Sequence, residues 1–349
     1  MQIRACRLVL FCSAIVLLFS AVAVEAAQPY TINVVLALSG PAAFLGKADQ
    51  ATLEAAERVI NQQGGIRGRP IHFAMQDDQS DPRLDVQLMS GILAKHPAVV
   101  FDGGPAATCL ATAPLMKDGP VEYCLSPAIH PKAHSFVFSA SASTRDFAVS
   151  FYRYFHALGL KRIAMISSTD ASGQDADNEF ASVLNLPEFK SSGLAIVDLE
   201  HFNGNDLNVS AQMTRIKAAK PQVVIAYAPG TPFGTLLRGI QNAGITVPVA
   251  TGNANMSYAV MTQYAGVLPS ELLLPSVPVF GDVVADARAK KVYETFFARS
   301  NRPRFGPTCS IPWRGIQRSL SRTHCELSAA TRTLFGSRAI SKGFTVGSA

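Results

Sequence analysis

One loop in the sequence combines residues that could hold a small anion. The run Asp102-Gly-Gly-Pro-Ala-Ala-Thr108 follows the apolar stretch 98–101 and precedes apolar residues at helical spacing. Gly103 and Gly104 allow close approach of the backbone, and a helix behind them presents free N–H groups and the positive end of its dipole. These features suit a free carboxylate. The alternative is an ordinary turn between a strand and a helix.

Other patterns that carry chemistry are incomplete. The loop 40–48 is similar to a phosphate-binding P-loop, but five residues separate its glycines and Ala48 stands where a magnesium-binding hydroxyl is required. The chain has no Gly-x-Ser-x-Gly or His-Glu-x-x-His sequence, and that first turn lacks Gly-x-Gly-x-x-Gly. The seven histidines are scattered, and none forms a metal-like pair with a cysteine. We therefore predict no cofactor, no metal site and no enzymatic activity.

Strands and helices that alternate along the chain must position these residues. The run 32–38 is almost entirely apolar, as expected of a parallel strand that is buried on both faces. Apolar residues recur at spacings of three and four over 47–63, and Gly64-Gly65 ends this predicted helix. Asp81-Pro82 and the capping box Ser143-Thr-Arg-Asp146 begin later helices. The alternation predicts an α/β fold with mostly parallel sheets.

Cys109 and Cys124 are predicted to form a disulfide. Cys109 begins the helix after one predicted strand and Cys124 lies near the end of the next strand, so both approach the same edge of the sheet. An oxidising compartment would favour the bond. The alternative is that both are small, buried apolar residues. Cys309 and Cys325 support no pairing.

Three motifs resemble the opening of the periplasmic leucine/isoleucine/valine-binding protein family. They are Leu-Ser-Gly-Pro-Ala-Ala-Phe-Leu-Gly-Lys at 38–47, Ile-Asn-Gln-Gln-Gly-Gly-Ile-Arg-Gly-Arg-Pro-Ile at 60–71 and Asp-Asp-Gln-Ser-Asp-Pro at 77–82. Members of this family are solute-binding components of ABC importers of the branched-chain amino acid type. The resemblance covers about residues 30–306. It implies the type I periplasmic binding fold, in which a hinge joins two doubly wound lobes.

The resemblance also implies a domain organisation. Residues 28–141 form lobe 1, residues 145–274 form lobe 2, and residues 280–306 return to lobe 1. The tail 307–349 departs from the family, whose members continue with a tyrosine-rich helical stretch and further strands. Our interpretation is a frameshift or truncation in the gene, and we expect the tail to be poorly ordered.

The expected ligand contacts lie in loops at the ends of strands. In the family, the loops after the third and fourth strands hold the α-carboxylate and α-ammonium groups of the ligand. The candidate contacts in this chain are Ser39, Phe44, Pro105, Ala106, Ala107, Thr108, Ala128, Ile129, His130, Ser172, Tyr227, Thr231 and Asn253.

Several candidates differ from the family or keep two interpretations. His130 stands where the family usually has a small hydroxyl residue, and it is either a ligand contact or a half-exposed loop histidine. Ser172 replaces a common tyrosine, so an aromatic wall of the cleft is missing or is supplied elsewhere. Asn253 and Asn255 either contact the ligand or form turns and caps.

The composition and the termini indicate an exported globular protein. The net charge of +6 arises from residues 301–349, in which seven Arg and one Lys face one Glu, and no nucleic-acid partner is expected. Arg4 and Arg7 precede an apolar run from Leu8 to about Val24. This pattern predicts a signal peptide over 1–26 and a soluble, periplasmic protein. The alternative is a membrane anchor, for which the run is shorter than the ~20 residues of a span.

The predicted function is therefore binding rather than catalysis. We expect a periplasmic solute-binding protein that closes around a branched-chain amino acid or a related small carboxylate or amide. Its protein partners would be the membrane subunits of an ABC permease. The alternatives are a secreted α/β hydrolase and a ligand-sensing module of the same fold.

Overall fold

A computed structural model describes residues 28–256 and 258–275 of the 349-residue chain. The predicted signal peptide at 1–26, the return segment at 280–306 and the tail at 307–349 lie outside these residues. The strands are β1 (Tyr30–Leu36), β2 (Ile71–Asp77), β3 (Val99–Asp102), β4 (Val121–Cys124), β5 (Val137–Ser139), β6 (Arg162–Ser168), β7 (Ala195–Phe202), β8 (Val223–Tyr227), β9 (Val249–Ala250) and β10 (Leu272–Leu273). The helices are α1 (Ala43–Gln62), α2 (Pro82–Leu93), α3 (Ala106–Thr112), α4 (Thr144–Ala157), α5 (Ala171–Leu184), α6 (Pro187–Lys190), α7 (Ser210–Ala218), α8 (Thr231–Asn242) and α9 (Tyr258–Gln263).

The strands form two five-stranded sheets with the same topology. The first sheet has the order β2-β1-β3-β4-β5, and the second has the order β7-β6-β8-β9-β10. Neighbouring strands are parallel throughout both sheets. The predicted α/β, doubly wound fold is thus confirmed. We call the first sheet with α1–α3 the first lobe, and the second sheet with α4–α9 the second lobe.

The second sheet shows why β8 and the middle of β6 are apolar at nearly every position. Alternate residues of a strand point to opposite faces. Ala164 and Ile166 of β6 pack with α7 and α8, whereas Ile163 and Met165 pack with aromatic residues of α4 and α5. Helices therefore cover both faces at these positions, which accounts for apolar residues on both. Among the described residues, no helix combines the length and the apolar character that crossing a membrane requires.

The helix caps follow the sequence at two of the three predicted starts. Asp81 accepts a hydrogen bond from the N–H of Arg83 at 2.8 Å, and the capping box of Ser143 and Asp146 forms as predicted. The first helix begins at Ala43, four residues before the predicted start. The hydroxyl of Ser80 accepts the N–H of Ala42 at 3.1 Å, so a distant loop supplies the cap that the local sequence lacks.

A glycine allows close packing in the helix that follows the first strand of each sheet. A Cβ atom on Gly46 would lie 2.1 Å from the carbonyl oxygen of Ala37, and one on Gly173 would lie 1.8 Å from that of Ser168. Real Cβ atoms do not approach a backbone oxygen so closely, so any larger residue would displace the helix. The two glycines thereby fix the loops at the ends of β1 and β6.

We expect Gly173→Ala to lower the free energy of unfolding by about 1–3 kcal/mol, because the backbone must shift to relieve the overlap. Gly91→Ala is the matched control, since Gly91 is also helical and has no atom within 4 Å of its Cβ position. Alanine should stabilise that site by about 0.5–1 kcal/mol through its helix propensity. Urea denaturation of both variants measures the two effects. Equal free energies for the two variants would contradict the proposed packing constraint.

Candidate functional site

The predicted ligand contacts lie in loops or first helical turns beyond the carboxyl ends of the strands, except Tyr227, which is the last residue of β8. In each sheet the chain reverses its winding direction beside the first strand, and the loops on either side of such a point diverge to leave a crevice. The first lobe places Ser39 and Phe44 after β1 and the segment 105–108 after β3. The second lobe places Ser172 after β6 and Thr231 after β8. Both lobes therefore carry their candidate residues at equivalent ends.

Phe44 joins the two lobes at one point. A Cβ atom on Gly230 would lie 2.2 Å from Cε1 of Phe44, so the ring rests directly on the Gly230 backbone. Gly230 has a φ of 72° and precedes Thr231, the first residue of α8. Phe44 also packs against the apolar core of the second lobe. The first lobe thus supplies an aromatic side chain, Phe44, at the boundary between the lobes. The second lobe has only a serine at position 172, where the family commonly has a tyrosine.

His130 joins the lobes at a second point. Its Nε2 atom lies 2.5 Å from Oδ1 of Asp175 and 4.0 Å from Oε1 of Glu179 on α5. The side chain of His130 remains 48% exposed. We call the contacts of Phe44 with Gly230 and of His130 with Asp175 the lobe junction. Sequence reasoning missed both acids, although they lie four residues apart and therefore share one face of a helix.

The loop after β3 uses part of its polar capacity internally. Thr108 is only 1% exposed, and its hydroxyl donates to the carbonyl of Pro105 at 2.9 Å. Its proton is therefore engaged in the first turn of α3, and its lone pairs are all that it can offer a ligand. Ala106 is also buried, whereas Pro105 and Ala107 are half-buried. The same helix contacts α5 of the second lobe.

The predicted disulfide is present behind this loop. Cys109 and Cys124 are bonded, with their Cα atoms 6.1 Å apart. Sγ of Cys109 also lies 3.2 Å from the carbonyl oxygen of Gly103. The bond links α3 to the end of β4 and so fixes the loop after β3 relative to the loop that carries Ala128 and Ile129. Both of those residues are buried, and Ile129 packs in the same apolar cluster as the disulfide.

Ser39, Tyr227 and Asn253 have individual settings. Ser39 is exposed and donates its hydroxyl hydrogen bond to Asp77 at 2.7 Å. Tyr227 is 6% exposed, and its ring meets that of Phe180 at 6.0 Å. Burial raises the pKa of Tyr227 to about 12, so its hydroxyl stays protonated at neutral pH. Asn253 is half-buried at the start of a short 3-10 turn, and its contact with a ligand stays a prediction.

Asn255 follows β9 and stabilises the loop after β8. It accepts the N–H of Gly230 at 2.9 Å and donates to the carbonyl of Ala228 at 2.9 Å. A third bond joins its amide to the hydroxyl of Thr251 at 2.9 Å. Of the two interpretations of Asn255, the structure therefore supports turn formation.

Asp49 is an acid that the sequence analysis did not identify. A Cβ atom on Gly104 would lie 3.6 Å from its Oδ2 atom, so the carboxyl group rests against the loop after β3. Burial raises the pKa of Asp49 to about 7. It has no hydrogen-bond or ion-pair partner among the described residues. One feature of the sequence could have identified Asp49: it lies three residues after Gly46 and four before Leu53, and so shares their side of the amphipathic helix.

A serine, a histidine and an acid also meet beside β6. The Ser167 hydroxyl donates to Oδ1 of Asp177 at 2.7 Å, and His201 Nε2 lies 2.8 Å from Oδ2 of the same carboxylate. The acid lies between the other two residues, whereas a hydrolase triad places the histidine between the serine and the acid. Ser167 thus has a carboxylate rather than an imidazole as its hydrogen-bond partner.

Comparison with known proteins gives concordant matches. The sequence model described as "Periplasmic binding protein" matches residues 29–302. The Leu/Ile/Val-binding protein homolog 3 of Brucella melitensis is 24% identical over 227 residues, which are 64% of this chain and 60% of that protein. The chain thus spans about three fifths of that curated relative's length.

Solved structures resemble the fold at low sequence identity. A type 1 periplasmic binding protein from Bordetella pertussis has a TM-score of 0.67 and 23% identity, over 78% of this chain and 74% of that one. An ABC transporter solute-binding protein from Rhodopseudomonas palustris, solved in complex with benzoate, has a TM-score of 0.63 and 18% identity. That alignment covers 79% of this chain and 75% of the other. At these identities the likeness concerns the fold alone.

Proposed function

The chain belongs to the periplasmic binding protein family, and we propose that it binds a small carboxylate ligand between its two lobes and delivers it to an ABC permease. Export to the periplasm through a signal peptide at 1–26 is part of the proposal, as is closure about a hinge. Binding, and not turnover of the ligand, is the proposed activity.

The observation that carries this proposal is the lobe junction. The first turn of α1 and the loop after β4 in the first lobe contact the start of α8 and the side of α5 in the second lobe. These contacts bring segments of the two lobes that carry candidate residues next to each other, although β1 and α8 are far apart in the chain. Ligands of two-lobed binding proteins are held between lobes that close by hinge motion. The region between these loops is the proposed binding site.

The family relatives give two classes of candidate ligand. One relative is named for leucine, isoleucine and valine, and one structural neighbour was solved with benzoate. Both classes carry a carboxylate, to which backbone N–H groups of the loop after β3 could donate hydrogen bonds. They differ in the ammonium group, which only the amino acids have. We propose the amino acids as the first class to test, because Asp49 provides a negative partner for an ammonium group.

A thermal-shift panel tests the binding function. The full chain is incubated at millimolar concentration with leucine, isoleucine, valine and benzoate, and ligand binding should raise the melting temperature by mass action. His130→Ala should weaken the binding of a ligand that contacts this residue by about 1–3 kcal/mol. A folded sample that responds to none of the four compounds would exclude these ligand classes. Release of a chemically altered product would favour the hydrolase instead.

The pH dependence of affinity should identify the ligand class, because the pKa of Asp49 is about 7. An ammonium group favours ionised Asp49, so leucine affinity should rise from pH 6 to pH 8. A carboxylate without an amine favours protonated Asp49, so benzoate affinity should fall over the same range. Asp49→Asn should weaken leucine binding by about 1–3 kcal/mol and leave benzoate binding equal or stronger.

Calorimetric titrations at both pH values provide the measurement. Glu54→Gln is the matched control, because Glu54 is an exposed acid on the same helix. It should leave both affinities unchanged. If neither the wild type nor Asp49→Asn binds the ligands with a pH-dependent affinity, Asp49 does not face the ligand. A ligand-sensing role differs from transport in its partner, so uptake of the ligand by cells with and without the gene separates these two roles.

A further inference from the structure

Three potential metal ligands meet at the lobe junction. His130 comes from the loop after β4, and Asp175 and Glu179 come from successive turns of α5. One ligand atom from each residue lies within 4.8 Å of the others. This grouping is exceptional among the histidines of the described residues, because His72 and His201 each pair with a single carboxylate.

The distances approximate those of a coordination sphere. Tetrahedral bonds of about 2.1 Å to nitrogen and oxygen place neighbouring ligand atoms about 3.4 Å apart. Nε2 of His130 is 2.5 Å from Asp175 and 4.0 Å from Glu179, so the two separations lie on either side of that value. Side-chain rotations that move these atoms by less than about 1 Å would bring both separations to about 3.4 Å. One imidazole and two carboxylates are a donor set that divalent transition metals accept.

The surrounding groups leave the required oxygens available. Oδ1 of Asp175 faces His130, and the other carboxylate oxygen, Oδ2, is buried without a hydrogen-bond partner among the described residues. Arg145 contacts Oε2 of Glu179 at 3.3 Å, which directs Oε1 towards His130. Such outer contacts commonly orient metal-binding carboxylates. Arg145 also bonds to the hydroxyl of Ser182 at 2.9 Å, so its own position is fixed independently of the metal.

We propose that His130, Asp175 and Glu179 form a binding site for a divalent transition-metal ion at the junction of the two lobes, with Zn²⁺ as the probe. The site needs both lobes, because the imidazole belongs to one and the carboxylates to the other. A bound ion therefore holds the lobes in the arrangement described here. It favours this arrangement over any in which the loop after β4 has moved away from α5.

Titration of the full chain with Zn²⁺ alone tests the site without knowledge of the ligand. After dialysis against a chelator, calorimetry should show a site in the wild type that His130→Ala weakens by about tenfold or more. Glu179→Gln should weaken it similarly. Mg²⁺ should not compete, because it prefers an octahedral set of oxygens. Circular dichroism establishes that each variant is folded.

His201→Ala is the matched control. His201 also lies within hydrogen-bond distance of one carboxylate and is 47% exposed, but both residues of that pair belong to the second lobe. This variant should retain the affinity of the wild type for Zn²⁺. The proposal is overturned if the wild type does not bind Zn²⁺ below millimolar concentration. It is equally overturned if His130→Ala binds Zn²⁺ as tightly as the wild type, or if the two histidine variants lose affinity equally.

Discussion

Reduction of the Cys109–Cys124 disulfide is expected to lower the free energy of unfolding by about 3 kcal/mol. The two cysteines are 15 residues apart. A cross-link across a loop of that size lowers the conformational entropy of the unfolded chain, which stabilises the folded state by about 3 kcal/mol. The bond also ties α3 to the end of β4, so reduction should loosen the loop after β3 as well. Ligand affinity is then expected to fall together with stability.

Denaturant unfolding with and without a reducing agent measures the effect. The double variant Cys109→Ser/Cys124→Ser should reproduce the reduced wild type. Because the chain also contains Cys309 and Cys325, the variant Cys309→Ser/Cys325→Ser serves as the control and should respond to the reducing agent like the wild type. An unfolding midpoint that does not change on reduction would refute a stabilising role for the bond.

Asp85→Asn is expected to stabilise the protein at pH 8 by up to about 4 kcal/mol, the free energy that corresponds to raising a carboxyl pKa from 3.8 to about 7. Asp85 is fully buried, and neither of its oxygens accepts a hydrogen bond from a described donor. Its pKa is raised to about 7, mainly by burial and in smaller part by the charges of Asp78 and Glu122. The carboxyl group of Asp85 can instead share a proton with the neighbouring carboxyl group of Asp102.

The sign of the pH dependence follows from this raised pKa. Below about pH 4 the group is protonated in both the folded and the unfolded state, so its full contribution to stability is present there. As the pH rises towards 7 and above, the folded state must ionise a buried carboxyl, and the contribution is lost. The wild type should therefore lose stability relative to Asp85→Asn between pH 4 and pH 8. Denaturation curves at both pH values measure the difference.

Asp77→Asn is the control with the opposite sign. Although burial acts against it, hydrogen bonds from Ser39, Gln79 and Leu38 hold the pKa of Asp77 below its ordinary value. Its contribution is present at neutral pH and is lost as the pH falls. Asp77→Asn should thus destabilise the protein at pH 8 and still do so at pH 4, and the loss should shrink only as the pH falls below about 4. Two variants with the same sign at pH 8 would contradict this electrostatic account.

The sequence alone determined the architecture and the location of the candidate site. Almost entirely apolar runs such as 32–38 and 163–166 predicted strands covered on both faces, and amphipathic spacing predicted the helices between them. These predictions need only local sequence, because the spacing of apolar residues within a segment indicates which of its residues are buried. Because strands so arranged are parallel, loops at their carboxyl ends were predicted to collect at one edge. The pairing of Cys109 with Cys124 followed from the same reasoning.

Only the tertiary structure decided which side chains meet. The first helix starts at Ala43 because Ser80 caps it from another loop, and no local residue signals this contact. His130 and Asp175 are 45 residues apart, and their contact depends on how one lobe rests on the other. The buried acids at Asp85 and Asp102 likewise interrupt no sequence pattern. Contacts between separate helices, strands and loops follow no repeating pattern along the chain. They can therefore be identified only when the tertiary structure is known.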